Sequence, residues 1–366
     1  MSLLIVVGTR PEIIKMAPII KELEKRNVEF FFVHTGQHYD YEMSKIFIEE
    51  LGLPEPYVSF ELENSSPGAQ IGEMMMKLDR ALTNTKKGYG ILLVQGDTNS
   101  IVAAALTGIK KGLKIGHVEA GLRSYDWRMP EEHNRRLVDH ISDHLFAPTE
   151  YAMRNLVEEH VHGKIHVTGN TVIDAVDIYF SKVAEIEPKV IKQLKFSEYG
   201  LVTFHRAENV EDPVILRNFI TILEKSPIPL VYPLHPRTKK RLYEQGLLSL
   251  VESLQHVQLL PPQGYFEFLA LMKNSKIILT DSGGLQEEAT HPKIRKTVLI
   301  LRRSTERPEA IKTGFARIVD VNPIVALTEL EKALSESLSL PTQSPFGNGK
   351  ASKRILDIIL SELENM

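Results

Sequence analysis

Short runs of apolar, often β-branched residues alternate along the chain with longer amphipathic stretches. In the first half the runs lie at 3–7, 29–34, 90–95 and 114–119. In the second they lie at 200–205, 230–234, 257–260, 276–280, 297–301 and 316–319. Within each run the apolar character is continuous rather than alternating, which predicts strands covered on both faces. The stretch after Gly8 keeps a helical pattern through Lys25. Strand–helix alternation of this kind predicts a parallel, doubly wound sheet. The pattern fades between about residues 169 and 195, a charged helical stretch that contains Pro188, and restarts at Gly200. Two similar α/β domains are therefore expected, 1–170 and 171–350. Residues 341–350 are rich in Pro, Ser, Asn and Gly and read as a loop. The helix beyond it, 351–365, is expected to pack back on the first domain, so that 351–366 belongs there.

Composition narrows the function classes. A length of 366 residues suits two to three domains. The 43% hydrophobic share excludes a long disordered chain. With 44 Lys+Arg against 47 Asp+Glu, the formal charge of −3 leaves no broad electrostatic grip on nucleic acid. The chain has no cysteine, which excludes disulfides, thiolate catalysis and Cys-based metal sites and suits a reducing cytoplasm. The N-terminal apolar run is too short for a signal peptide, and no stretch has the length to span a bilayer.

The polar clusters share one position. Gly8-Thr-Arg-Pro-Glu12, Thr35-Gly-Gln-His38, Gly96-Asp-Thr-Asn99 and His117-Val-Glu-Ala-Gly121 each follow a strand run, as do His205-Arg-Ala-Glu-Asn209, His235-Pro236 and Asp281-Ser-Gly-Gly284. In an open α/β sheet, ligands bind outside the carboxyl ends of the strands. Turn chemistry accounts for Gly and Asn at strand ends, but less well for recurrent Arg, His and Glu. Ser282, Gly283 and Gly284 run from a strand into a helix, where backbone N–H groups and the helix dipole favour an anion such as a pyrophosphate. Glu288, about a turn further on, is placed for a ribose diol; a plain N-cap by Asp281 or Ser282 is the alternative. Arg10 and Lys15 bring positive charge to the first strand-to-helix turn, which is neither a Walker A loop nor a Gly-x-Gly-x-x-Gly fingerprint. Asp97, Glu119 and Glu131, with His205 in the second half, suit general acid–base work. Salt bridges to Arg123, Arg135 and Arg136 are the competing account of these carboxylates. His140 and His144 lie four apart on an expected helix, and His160, His162 and His166 cluster in a loop-like stretch. Neither forms a recognised ligand pattern, so no metal is assigned. Met74, Met75 and Met76 read as core packing, and Lys239, Lys240 and Arg241 as a solvated helix face.

In this order the motifs resemble the non-hydrolysing UDP-N-acetylglucosamine 2-epimerases. The matching segments are 8–18, 35–38, 96–98, 117–123, 130–135, 147–150 and 168–174, then 205–209, 279–289 and 305–310. The resemblance implies a GT-B-like fold of two Rossmann-like domains facing a deep cleft. It implies reversible conversion of UDP-GlcNAc to UDP-ManNAc without a redox cofactor. The route would be C2 proton abstraction, elimination of UDP to 2-acetamidoglucal, and re-addition. By resemblance Asp97, Glu119 and Glu131 are the catalytic carboxylates, with no division of labour among them, and His205 assists departure of UDP. Arg10 and Lys15 match cations near the reaction centre. Ser282, Gly283 and Gly284 match the phosphate loop, Glu288 the ribose contact, Gln263 and Phe268 the uracil side, and Arg307 another nucleotide-side residue. A cytoplasmic homodimer is implied.

The chain also departs from the family pattern. Ala207 stands where a second Arg is usual, Leu234-His-Pro-Arg237 replaces His-x-Asn-Pro, and 291–296 replaces a shorter Leu-Gly-Lys-Pro. Gln37 and His38, near a family activator site, are present, but the region from Ser65 to Gln70 differs. A glycosyltransferase using a UDP-sugar donor is the alternative reading, because many share the fold. A nucleotide-sugar binding protein without turnover is a third.

Overall fold

The computed structural model of the chain describes residues 2–37, 41–64, 66–84, 88–336 and 339–366. His38 and Ser65 lie outside the described residues. The chain divides into two compact units, Met1–Ile178 with Phe346–Met366, and Tyr179–Pro345.

Among the described residues the first unit holds seven parallel strands: β1 (Ser2–Val7), β2 (Phe30–His34), β3 (Val58–Ser59), β4 (Tyr89–Gln95), β5 (Lys114–Val118), β6 (His144–Ala147) and β7 (Lys164–Val167). Their order is β3-β2-β1-β4-β5-β6-β7. The second unit holds β8 (Gly200–Thr203), β9 (Leu230–Pro233), β10 (Val257–Leu260), β11 (Ile277–Thr280), β12 (Val298–Ile300) and β13 (Ala316–Ile318). Their order, β10-β9-β8-β11-β12-β13, repeats the same scheme. Each sheet starts at its middle, winds to one edge, returns and winds to the other. The order reverses between β1 and β4, and again between β8 and β11.

Continuous apolar runs became doubly covered strands, as burial from both faces requires: Leu3 to Val7 are all 0% exposed. Three strands escape a hydrophobicity reading. β3 has two residues, and β6 and β7 carry His144, Lys164 and His166. His140 and His144 do not share a helix: His140 ends the helix Pro130–Ile141, and His144 opens β6. His166 is likewise on a strand, not in a loop. Met74 is core, but Met76 is exposed. Among the described residues, no helix is long and apolar enough to cross a membrane.

The chain leaves the first unit inside the helix Thr171–Ile191 and re-enters it at Phe346. At that crossing the Asn170 amide donates to the Phe346 carbonyl at 2.7 Å. Gly169 and Gly347 meet there with φ of +91° and +124°. A Cβ on Gly347 would sit 3.2 Å from the Gly169 Cα, so the contact needs the smallest residue as well as the unusual backbone. The terminal helix Ala351–Glu364 packs on the helix Arg10–Lys25.

The start of the terminal helix is satisfied from far away in sequence. Lys350 at its N-cap makes no side-chain cap bond. Instead the buried Asp174 carboxylate accepts from the Ala351 amide at 3.1 Å, the Ser352 amide at 2.8 Å and the Ser352 hydroxyl at 2.6 Å. Asp174→Ala would leave two buried N–H groups unsatisfied, at about 1–3 kcal/mol each. We expect Asp174→Ala to lower the unfolding free energy in urea by about 2–4 kcal/mol and to speed proteolysis within 339–350, with Asp174→Asn losing less.

Candidate active site

In the first unit the polar loops after β1 and β4 meet where the strand order reverses. Helix Arg10–Lys25 begins directly after Gly8 and Thr9, with Pro11 in its first turn, where the missing N–H costs nothing. Thr9 and Glu12 have capping-box spacing, but the carboxylate does more than cap. It accepts from the Gly8 amide at 2.6 Å, the Thr9 hydroxyl at 2.9 Å and, across the reversal, the Thr98 hydroxyl at 2.5 Å. Glu12 thus clamps the two loops together from a position only 2% exposed. Burial pushes its carboxyl up to about 7, against the opposing bonds from Thr98, Gly8 and Thr9, and the nearby Asp97 charge adds to the rise. Glycine at position 8 is obligatory, since a Cβ would meet the Ser100 and Thr35 hydroxyls at 1.9 and 2.2 Å. Thr98 being turned to Glu12, the start of the helix Asn99–Lys110 is served by Gln37, whose side-chain oxygen accepts from the Ser100 amide and hydroxyl, both at 2.7 Å.

Asp97 follows Gly96, which has a φ of +85°. Its carboxylate takes the Arg135 guanidinium, with Nε at 3.1 Å, and its carbonyl takes the Asn134 amide at 2.9 Å. Arg135 also binds Glu132 at 2.6 Å. The segment 130–135 is the first turns of the helix Pro130–Ile141, so three of its side chains build a support for Asp97. Glu132 is fully buried and folds the loop above it by accepting from the Ser124 amide and hydroxyl, both at 2.9 Å. Burial raises its carboxyl, but the Ser124 bonds, Arg135 and Arg136 outweigh that and hold it below the usual range. Glu131 sits in the same turn, half-buried.

Glu119 lies just past β5, 8% exposed, with φ of +71°. A non-glycine residue there is strained, and such strain gathers at functional positions. Its Oε2 accepts from the Lys15 ammonium, itself buried, and from the Asn170 amide at 2.9 Å. His117, in the same motif, is a structural member. It bridges Asp139 at 2.7 Å and the Gly96 carbonyl at 2.8 Å. Asp139 also takes Arg123 at 2.7 Å. Burial raises the Asp139 carboxyl, yet His117 and Arg123 hold it below the usual carboxylate range. Arg10, which opens the first helix, lies 4.0 Å over the Phe47 ring. The salt-bridge account thus holds in part: Asp97 pairs with Arg135 and Glu119 with Lys15, while Arg123 serves Asp139.

The second unit repeats the clamp. Asp281, fully buried after β11, is not the helix cap that its position suggested. Its Oδ2 turns back across the reversal to accept from the His205 amide at 3.0 Å, the Arg206 amide at 2.9 Å and the Asn209 side chain at 3.1 Å. His205 Nδ1 lies 3.4 Å from the other oxygen, and its ring stacks on His235 with centroids 5.2 Å apart. Ser282 is the N-cap of the short helix Gly283–Glu288, without a side-chain cap bond. Arg307 is held by Glu287 at 3.0 Å and Glu306 at 3.1 Å. It packs so closely on Gly283 that a Cβ there would meet its guanidinium at 2.5 Å. Glu288 is buried at the end of that helix. Gln263 donates to the Pro261 carbonyl at 2.7 Å, and Phe268 stands half-buried in the helix Tyr265–Asn274. Of the departures, Ala207 opens a one-turn helix, and His235 caps the helix Pro236–Glu244 by accepting from the Arg237 amide at 3.1 Å. The segment 291–296 closes as a turn, with the Lys296 amide on the Ala289 carbonyl. Among the described residues, no group of three His, Asp or Glu side chains is placed to hold a metal ion.

The residues singled out from the sequence divide between the units, with Arg10, Lys15, Asp97, Glu119 and Glu131 in one and His205, Gln263, Phe268, Ser282, Gly283, Gly284, Glu288 and Arg307 in the other. Among them the structure pairs Lys15 with Glu119 and packs Arg307 on Gly283. Sequence reasoning missed Glu12 and Asn170 and the helix-borne support of Asp97. The Thr-x-x-Glu spacing was the signal for Glu12.

A family model described as UDP-N-acetylglucosamine 2-epimerase matches residues 21–360. A UDP-N-acetylglucosamine 2-epimerase of Methanococcus maripaludis is 44% identical over 98% of this chain and 98% of its own. A UDP-2,3-diacetamido-2,3-dideoxy-D-glucuronate 2-epimerase of Pseudomonas aeruginosa is 36% identical over 98% of this chain and 99% of its own. The crystal structure of Methanocaldococcus jannaschii UDP-GlcNAc 2-epimerase in complex with UDP-GlcNAc and UDP superposes with a TM-score of 0.90. It is 41% identical and covers 99% of this chain and 100% of that one. The two doubly wound units are the pair of Rossmann-like domains of the GT-B-like fold.

The Glu12 clamp has a pH signature. Glu12 retains its proton in the folded chain up to about pH 7, whereas it ionises at about 4.5 when unfolded. Its contribution to stability is therefore full below about pH 4.5 and is lost as the pH rises through about 7. The shift corresponds to a loss on the order of 3 kcal/mol across that window. Denaturant unfolding from pH 4.5 to 8 should show that decline in the wild type, and Glu12→Gln should remove it. An unchanged slope in the variant would assign the titration to another group.

Proposed function

The chain belongs to the UDP-N-acetylglucosamine 2-epimerase family, and we propose that it interconverts UDP-GlcNAc and UDP-ManNAc by reversible inversion at C2. A base takes the C2 proton, the C–H electron pair forms the C1–C2 double bond, and the C1–O bond breaks to release UDP. The product pair, 2-acetamidoglucal and UDP, then recombines with protonation on the opposite face of C2. No electrons are gained or lost overall, so the reaction requires no redox cofactor.

The observation that supports this reading best is Glu119. It is a buried carboxylate in a strained backbone conformation, paired with a buried lysine at the carboxyl edge of the sheet. A carbon acid needs a positioned base and a fixed charge environment, which such a pair supplies. We assign the proton transfers to Asp97, Glu119 and Glu131 as a set. Arg135 on Asp97 and Lys15 on Glu119 keep positive charge beside two of them. Arg10 and Lys15 stabilise negative charge near the reacting sugar. On the nucleotide side, Ser282, Gly283 and Gly284 receive the pyrophosphate, and Glu288 the ribose. Gln263 and Phe268 receive the uracil, and Arg307 completes that side. His205, backed by Asp281, assists the leaving UDP. We take the enzyme to be a cytoplasmic homodimer, which sedimentation at twice the chain mass would support.

The similarity to an epimerase named for a diacetamido-glucuronate sugar favours one second reading, in which the same chemistry acts on that UDP-sugar. Proton NMR with each sugar in D₂O, without acceptor, metal or nicotinamide, separates the readings. UDP-ManNAc carrying deuterium at C2 is the expected product from UDP-GlcNAc. Turnover of the diacetamido sugar alone would favour the second reading, and free ManNAc with UDP would indicate a hydrolysing enzyme. Unchanged UDP-GlcNAc, also after trace UDP-ManNAc is added, would favour a glycosyltransferase or a binding protein. Asp97→Asn and Glu119→Gln should each lower turnover by about 10²-fold or more while calorimetry shows UDP binding retained. Wild-type turnover in either variant would remove that residue from the set.

A further inference from the structure

Asn170 stands at an unusual junction. It is 2% exposed and is the last residue before the helix Thr171–Ile191, in which the chain leaves the first unit. Its amide donates to the carbonyl of Phe346, where the chain returns. Its side-chain oxygen accepts from the Val172 amide at 3.0 Å, as an N-cap does. Its side-chain amide donates to Glu119 Oε2 at 2.9 Å, on the oxygen that also receives Lys15. Each hydrogen-bonding edge of one residue is thus used for a different purpose.

We propose that Asn170 is a positioning residue for the epimerisation: it orients the Glu119 carboxylate against Lys15 from the point where the chain crosses between units. This rests on Glu119 belonging to the proton-transfer set. The geometry requires a side chain that accepts on one side and donates on the other. Ser and Asp both cap helices well but cannot make the second bond. Ser is too short to span to Glu119, and Asp presents an acceptor to an acceptor.

Substitution therefore separates the cap from the positioning role. Asn170→Ser should keep an unfolding midpoint close to wild type while kcat falls about tenfold and KM for UDP-GlcNAc stays within about threefold. Asn170→Asp should lower kcat further, by about 10²-fold. A purely capping role predicts wild-type kcat in both variants, and that result would overturn the proposal. The Glu119→Gln background supplies the second readout. If Asn170 acts through Glu119, adding Asn170→Ser to Glu119→Gln costs little beyond Glu119→Gln alone. Full multiplication of the two losses would overturn the proposal while leaving Glu119 catalytic. Wild-type turnover of Glu119→Gln alone would instead remove the premise, and the two failures are distinct.

Discussion

A buried carboxylate that spans the reversal of strand order is the constraint on which both units depend. Where a doubly wound sheet changes direction, the loops after two neighbouring strands diverge to opposite faces, and their backbone donors lose the sheet as a partner. Glu12 gathers Gly8, Thr9 and Thr98 in one unit, and Asp281 gathers His205, Arg206 and Asn209 in the other. The two acids come from opposite sides of the reversal, Glu12 from the helix after β1 and Asp281 from the end of β11. The same physical need has been met twice with different local sequence. Each clamp then holds a polar residue proposed for the chemistry: Asp97, beside Thr98, and His205 itself.

Much of each motif is support for such residues. In the segment 130–135, Glu132 folds the preceding loop, while Asn134 and Arg135 hold the carbonyl and carboxylate of Asp97. In 117–123, His117 and Arg123 converge on Asp139, and His117, through the Gly96 carbonyl, fixes the loop that carries Asp97. In 205–209, Asn209 reaches back to Asp281. Removing one partner from such a network leaves a buried charge uncompensated, which costs far more than the bond itself contributes. That asymmetry explains why the motif residues come as sets.

The long apolar strands and the doubly wound order were legible, because continuous burial and strand–helix alternation are properties of the one-dimensional pattern. Strands β3, β6 and β7 were not, since two residues, three apolar residues behind His144, or a run such as Lys164-Ile-His-Val167 carry too short or too mixed a hydrophobic signal. They are defined by their neighbours in the sheet. At the site, residues whose chemistry is unusual for a strand end, Asp97, Glu119 and His205, stood out. Residues that act at a distance did not. Nothing local marks Asp174 as the cap of a helix that starts at Ala351, or Asn170 as the partner of Glu119, because those pairings exist only after the chain has folded.

Glu119 shows why such remote partners matter. A non-glycine residue held at positive φ costs on the order of 1 kcal/mol or more and would relax if little opposed it. Here the surroundings over-determine it. The amides of Glu119 and Ala120 both donate to the Phe146 carbonyl, at 3.1 and 3.2 Å, which turns the backbone sharply at the end of β5. Gly121 then passes so close to the Ala152 carbonyl that a Cβ would lie 2.3 Å from its oxygen, leaving the turn no room to unwind. With the backbone fixed from below, the side chain is fixed from above by Lys15 and Asn170. The carboxylate is therefore held at both ends of its own residue, and only its second donor, Asn170, belongs to the segment that leads out of the unit. A carboxylate held this tightly loses little entropy on meeting a ligand, and its reach is set by the fold rather than by the side chain's own freedom.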